Sequence, residues 1–114
     1  MNSEKLTVWK TPTARLKLIE IYLFTRSRWG QDQAQKYLMM LEQTIQDIAV
    51  GTKSTKMNAK FSTRFSYYTV KKHHLFFEYR DDKLILATVF HTARQVKDRM
   101  EEELPKIQRE IKKI

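Results

Sequence analysis

The chain has 114 residues, with 22 Lys and Arg against 13 Asp and Glu and a formal net charge of +9 at neutral pH. This length allows one compact core and is too short for two, and the absence of cysteine excludes a disulfide framework, a thiolate metal site and a cysteine nucleophile. The first residues lack the apolar run of a signal peptide and no stretch approaches the ~18 apolar residues of a membrane span, so the expectation is one soluble cytoplasmic domain with no membrane partner.

The charge is unevenly spread. Between Asp47 and Glu78 there is no carboxylate, while Lys53, Lys56, Lys60, Arg64, Lys71 and Lys72 are all positive and His73 and His74 lie beside them. Such segregation of sign points to an acidic partner more than to general solubility.

In chain order, Lys5 to Trp9 alternates as a strand does, with Leu6 and Val8 on one face. Thr11-Pro12 then reads as an N-cap followed by proline at the first helical position. The helix that follows carries Leu16, Ile19 and Leu23 at helical spacing, widened by Leu18, Tyr22 and Trp29, and stops at Gly30. A second helix is marked by Ala34, Tyr37, Leu38, Leu41, Ile45 and Ile48, with Gly51 placed as a left-handed C-cap. Two helices meeting at one glycine predict an antiparallel hairpin.

Thr52 to Lys60 is polar and basic without apolar period, which predicts an exposed loop. Three strand-like segments follow, 62–70, 74–80 and 83–91, separated by a Lys-Lys turn and by Asp81-Asp82. They predict an antiparallel meander whose last strand, nearly all apolar from Leu84 to Phe90, lies mid-sheet with both faces covered. The C-terminal stretch returns to helical period through Val96, Met100, Leu104, Ile107, Ile111 and Ile114, and Pro105 is expected to kink or restart it. Its apolar stripe must be buried on the domain's own sheet or on a partner. The fold class is therefore α+β: an N-terminal strand, an antiparallel helical hairpin, a three-stranded antiparallel meander and a C-terminal helix. Leu16, Ile19, Leu23, Leu38, Leu41, Ile45, Leu86 and Val89 are the predicted core.

Trp29, Tyr37 and the Met39-Met40 pair read as packing residues. His73 and His74 lack a partnering Cys or Asp at ligand spacing, so neither a metal nor another cofactor is expected. His91, ending an apolar strand, has three possible uses: capping a carbonyl, holding the C-terminal segment, or facing a phosphate. Arg64 is a candidate either for a local pair with Glu78 or for function.

The stretch from Ala14 to Gly30, ARLKLIEIYLFTRSRWG, followed by Ala34 and Tyr37-Leu38, resembles the helical hairpin of ParE-type toxins in the RelE/ParE superfamily. Arg64 early in a strand, then His74 to Tyr79 and Val89-Phe90-His91, is similar to that family's strand pattern ending in histidine. The resemblance makes residues 1–95 a RelE/ParE-like toxin domain and 96–114 an amphipathic helix of the same domain. The chain departs from the family pattern in lacking Pro and Gly between Gly51 and Lys60 beyond the Gly51 cap, in having Gln95 where aspartate is common, and in its long C-terminal helix.

The resemblance implies the toxin of a type II toxin-antitoxin pair, with a cognate antitoxin as partner. ParE-type members poison DNA gyrase without being enzymes, whereas RelE-type members cut mRNA on the ribosome with the 2′-hydroxyl as nucleophile. The second chemistry needs cations at the scissile phosphate and a group to move the proton. Lys53, Lys56, Arg64 and His91 are the residues available for it. Thr92 stands where an arginine belongs, and no tyrosine follows Tyr79. The incomplete set favours gyrase inhibition by non-covalent binding. A RelE-type endonuclease is the alternative, and a non-toxic basic nucleic-acid-binding module, with Phe65, Tyr67 and Tyr68 as stacking platforms, is a further one. The surface for target or antitoxin is assigned to Lys53, Lys56, Lys60, Arg64, Lys71, Lys72, His91 and Arg94. An acidic antitoxin segment is expected to cover sheet and helix surfaces together, including the C-terminal stripe.

Overall fold

The computed structural model describes residues 5–114. The elements run β1 (Thr7–Lys10), α1 (Pro12–Trp29), α2 (Gln31–Ala49), β2 (Lys56–Asn58), β3 (Ser62–Val70), β4 (His73–Arg80), β5 (Lys83–His91) and α3 (Val96–Lys112). The strands form one sheet in the order β1-β5-β4-β3-β2. β1 lies parallel to β5 and all other neighbours are antiparallel.

The apolar run of β5 is explained by its place between β1 and β4, with helices over both faces. Leu84, Leu86 and Val89 face the α1–α2 hairpin with Leu41, Ile45 and Ile48. Ile85, Ala87 and Phe90 face α3, where Val96, Met100, Ile107 and Ile111 close over Phe65 and Phe76. Of the two burials open to the C-terminal stripe, the chain's own sheet or a partner, the structure shows the first, so the stripe is not free for an antitoxin segment to cover. α3 also runs on through Pro105. The proline is exposed, so the Glu101 carbonyl that loses its helical donor lies on the side where water replaces it.

The loop expected at 52–60 contains β2, a short edge strand joined to β3 only at Lys56–Tyr67 and Asn58–Ser62 with a register shift between them. Three residues are too few for a period to show.

Local chemistry fixes the hairpin. The Thr11 hydroxyl accepts the Ala14 N–H at 3.0 Å and donates to the Ala87 carbonyl at 2.7 Å. β5 carries a bulge there, since Phe76 pairs with Thr88 and Phe77 with Leu86, and Thr11 takes up the carbonyl that the ladder leaves over. No acidic residue stands in the first turn of α1. Glu110 of α3 supplies one from a distance, accepting from the Thr13 N–H at 3.0 Å and the Thr13 hydroxyl at 2.9 Å. Gly30 alone joins α1 to α2, with φ +93° and ψ 168°, a conformation that a side chain rarely tolerates. At the far end of α2 the Gly51 N–H bonds the Ile48 carbonyl and the Thr52 N–H the Asp47 carbonyl, the paired bonds of a Schellman cap.

The largest departure from expectation is in α1. Leu16, Ile19 and Leu23 were expected in the core but are 52%, 54% and 45% exposed. The buried face is Ala14 and Leu18, flanked by the part-buried Ile21. Apolar residues lie all round this helix, so two stripes fit the period equally, and the sheet takes the one that begins with small Ala14 beside the Thr11 cap. Trp29 and Met39, also read as packing residues, are each 69% exposed. Tyr37, Leu38 and Met40 do pack against the hairpin-side core.

Candidate functional site

The proposed surface residues separate into two groups. Along the β2–β3 side, Lys53 Nζ lies 3.4 Å from Asp47 Oδ2 and over the Tyr68 ring. Arg64 holds Glu78 through Nε at 3.0 Å and a terminal nitrogen at 2.9 Å, and Arg80 takes the other oxygen of the same carboxylate. The two carboxylates that bound the cationic stretch in sequence therefore fold back and pair with two of its members, Glu78 being shared with Arg80. Lys56 and Lys60 stand exposed on the edge strand and in the turn after it.

The other group gathers at the opposite end of the sheet, where β3 turns into β4 and β5 leaves for α3. Val70 pairs with His73 and His73 with His91, so the two imidazoles meet edge to face at 5.2 Å between centroids. Both lie on the hairpin side. The Tyr37 hydroxyl of α2 is 2.6 Å from His73 Nδ1 and 3.4 Å from the Val70 carbonyl oxygen. Burial raises the Tyr37 phenol above its usual range, which keeps it protonated. His91 Nδ1 accepts the Ala93 N–H at 3.0 Å, so the neutral ring carries its proton on Nε2. The Thr92 N–H donates to the Lys72 carbonyl at 2.8 Å and the Arg94 N–H to the His91 carbonyl at 3.0 Å. These bonds stitch the turn holding Lys71 and Lys72 to the turn holding Arg94. His74 faces the other side, bonded to Thr69 at 2.7 Å among Phe61, Tyr67 and Phe76. Among the described residues no group of three or more His, Cys, Asp and Glu could hold a metal ion.

Burial, with His91 and His74 adding repulsion, pushes His73 from 6.5 down to about 4. His74 is lowered by burial and by His91. Between pH 6.5 and about 4 the unfolded chain therefore binds a proton at His73 that the folded chain refuses, so stability rises with pH across that window and falls on acidification. The expected loss from pH 7 to 4 is about 1–2 kcal/mol from this ring, smaller than the full shift because a part-exposed group is screened. Urea unfolding of the His73→Gln protein beside the unchanged chain measures it: the variant's pH slope should be shallower.

Sequence reasoning missed the Tyr37–His73 contact and a second part-buried polar link, Lys17 Nζ to Glu103 at 2.7 Å over the Phe90 ring. Burial lowers Lys17 against the raising effect of Glu103. Lys17 and Glu103 are far apart in the chain, and no local pattern announces such a pair.

A family model described as the ParE toxin of the type II toxin-antitoxin system parDE matches residues 9–96. The chain belongs to the ParE toxin family. The match ends where α3 begins, so the helix that seals the second sheet face lies almost entirely outside it. Among solved structures, the chain is similar to one titled as a chromosomal ParDE TA system from P. aeruginosa, with TM-score 0.66 and 11% identity, covering 76% of this chain and 96% of that one. At that identity the likeness shows the fold alone. No curated protein matches the chain. As a toxin of a toxin-antitoxin system, the ParE-family chain has an antitoxin as its implied partner. No helix of the described residues is long and apolar enough to cross a membrane.

Proposed function

We propose that this ParE-family chain inhibits DNA gyrase by non-covalent binding in the cytoplasm and is neutralised by a cognate antitoxin, with residues 1–95 and the C-terminal helix acting as one unit. The observation that carries the reading is the separation of Arg64 from His91. From Arg64 to Val70, which leads across to His73 and His91, the strand climbs roughly 20 Å. Lys53 and Arg64 are engaged with Asp47 and Glu78. Residues spread in this way do not surround one phosphate, as a ribonuclease of the RelE type requires. His91 has a local use as the acceptor of its own turn.

The antitoxin's seat on this reading is the exposed stripe Leu16, Ile19 and Leu23 with Phe24 beside it. Arg15 and Arg26 are exposed beside the stripe and Glu20 is exposed within it, a net positive rim that suits an acidic amphipathic segment.

In cells, the His91→Gln protein made without antitoxin is expected to arrest growth, with DNA-damage signalling and intact transcripts. Gln keeps the approximate size and polarity of the side chain, while a nuclease relying on His91 would lose on the order of 10² to 10⁴ in rate. Cut transcripts that vanish in this variant would replace the reading with the endonuclease.

A further inference from the structure

We propose that the joined turns carrying Lys71, Lys72 and Arg94 form a binding site for the phosphate backbone of nucleic acid, distinct from the antitoxin's seat on α1. The proposal adds a DNA contact to the gyrase reading and rests on that reading only for its biological setting.

Three observations carry it. First, these cations have no ion-pair partner among the described residues, although neighbouring members of the same basic stretch do. Asp98, the carboxylate closest to Arg94 in sequence, does not pair with it. Second, the three residues do not sit on independent loops. The Thr92 N–H to Lys72 carbonyl bond ties the two turns together, the Arg94 N–H closes onto the His91 carbonyl, and Lys71 takes a left-handed φ of +51° that sets the turn. A cluster held by backbone bonds meets an anion with little ordering cost beyond the side chains themselves. The hairpin tip lies at the same end, because Tyr37 of α2 reaches Val70 and His73 while Ala49 at the other end of α2 accepts from Leu6 beside β1. Its Arg26 and Arg28 have no ion-pair partner among the described residues, and Asp32 is the one carboxylate at that tip.

Third, the two turns themselves are polar, and Trp29, exposed at the hairpin tip, lies outside them. No large hydrophobic side chain is exposed between Thr69 and Lys72 or between His91 and Gln95. An acidic peptide that binds stably needs apolar anchors as well as charge, and α1 offers those. A phosphodiester backbone presents repeated charge and asks only for cations and N–H donors. Chemistry therefore assigns the sheet end to nucleic acid.

The test is anisotropy of a labelled DNA duplex titrated with the full chain between 50 and 200 mM salt. The unchanged protein should bind, and K71Q/K72Q/R94Q should weaken binding and flatten the plot of log affinity against log salt by about one per residue, about three in all. A charge-matched control, K106Q/R109Q/K112Q on α3, should alter the slope far less; thermal melts show that both variants fold. Equal slopes for the two triples would reduce the effect to diffuse charge and overturn the site. So would a duplex that the unchanged chain does not bind, or a cluster variant that loses antitoxin affinity and keeps DNA. Gyrase inhibition is read separately: an unchanged protein that binds duplex yet leaves gyrase running removes the gyrase reading and keeps the site.

Discussion

Glutamate at both Leu16 and Ile19 should leave the domain folded and weaken antitoxin binding on the order of a thousandfold. Both side chains are more than half exposed, so the folded state loses little when they become polar. At an interface the same positions become buried anchors, each worth about 2 kcal/mol or more when lost. The added carboxylates also repel an acidic segment and leave charges to be desolvated. Titration calorimetry with the cognate antitoxin measures the loss, and cells should show the double variant as toxic even when antitoxin is made. Undiminished affinity would move the seat elsewhere.

Replacing Ile107 by alanine should cost about 2–5 kcal/mol of unfolding free energy. The side chain is fully buried between α3 and the sheet face of Phe65, Phe76, Ile85 and Phe90. If α3 were a detachable tail, this change would cost little and the rest of the chain would keep its cooperativity. Glu110 on Thr13 and Glu103 on Lys17 bind α3 to α1, so the helix and the hairpin should unfold in one transition. Urea titrations followed by circular dichroism and by tryptophan fluorescence, with Trp9 in β1 and Trp29 in α1 as reporters, should coincide. A biphasic curve in the unchanged protein would show α3 to be a separate unit.

Most of the architecture was legible because its signals are local. The Thr11-Pro12 start, the Gly30 joint and the Gly51 cap are each set by one or two residues, and the composition of β5 revealed a strand covered on both sides. The orientation of α1 was not legible, because Leu16–Ile19–Leu23 and Ala14–Leu18–Ile21 share the same period and only tertiary contact with β5 and α2 chooses between them. The candidate residues do not form one group. Lys71, Lys72, His91 and Arg94 converge, while Lys53 and Arg64 pair with the carboxylates that bound the stretch in sequence. A charge run shows sign and not pairing. The His73–Tyr37 contact joins residues from different elements, and a single sequence holds no trace of it.

The central claim, a non-enzymatic toxin acting on gyrase, is tested most directly by incubating the purified protein with gyrase, relaxed plasmid and ATP, and in parallel with programmed ribosomes. The account predicts that supercoiling stops and cleaved plasmid accumulates, that antitoxin reverses both, that His91→Gln behaves like the unchanged protein, and that the mRNA stays whole. Continued supercoiling together with mRNA cut on the ribosome, and lost in His91→Gln, would contradict it.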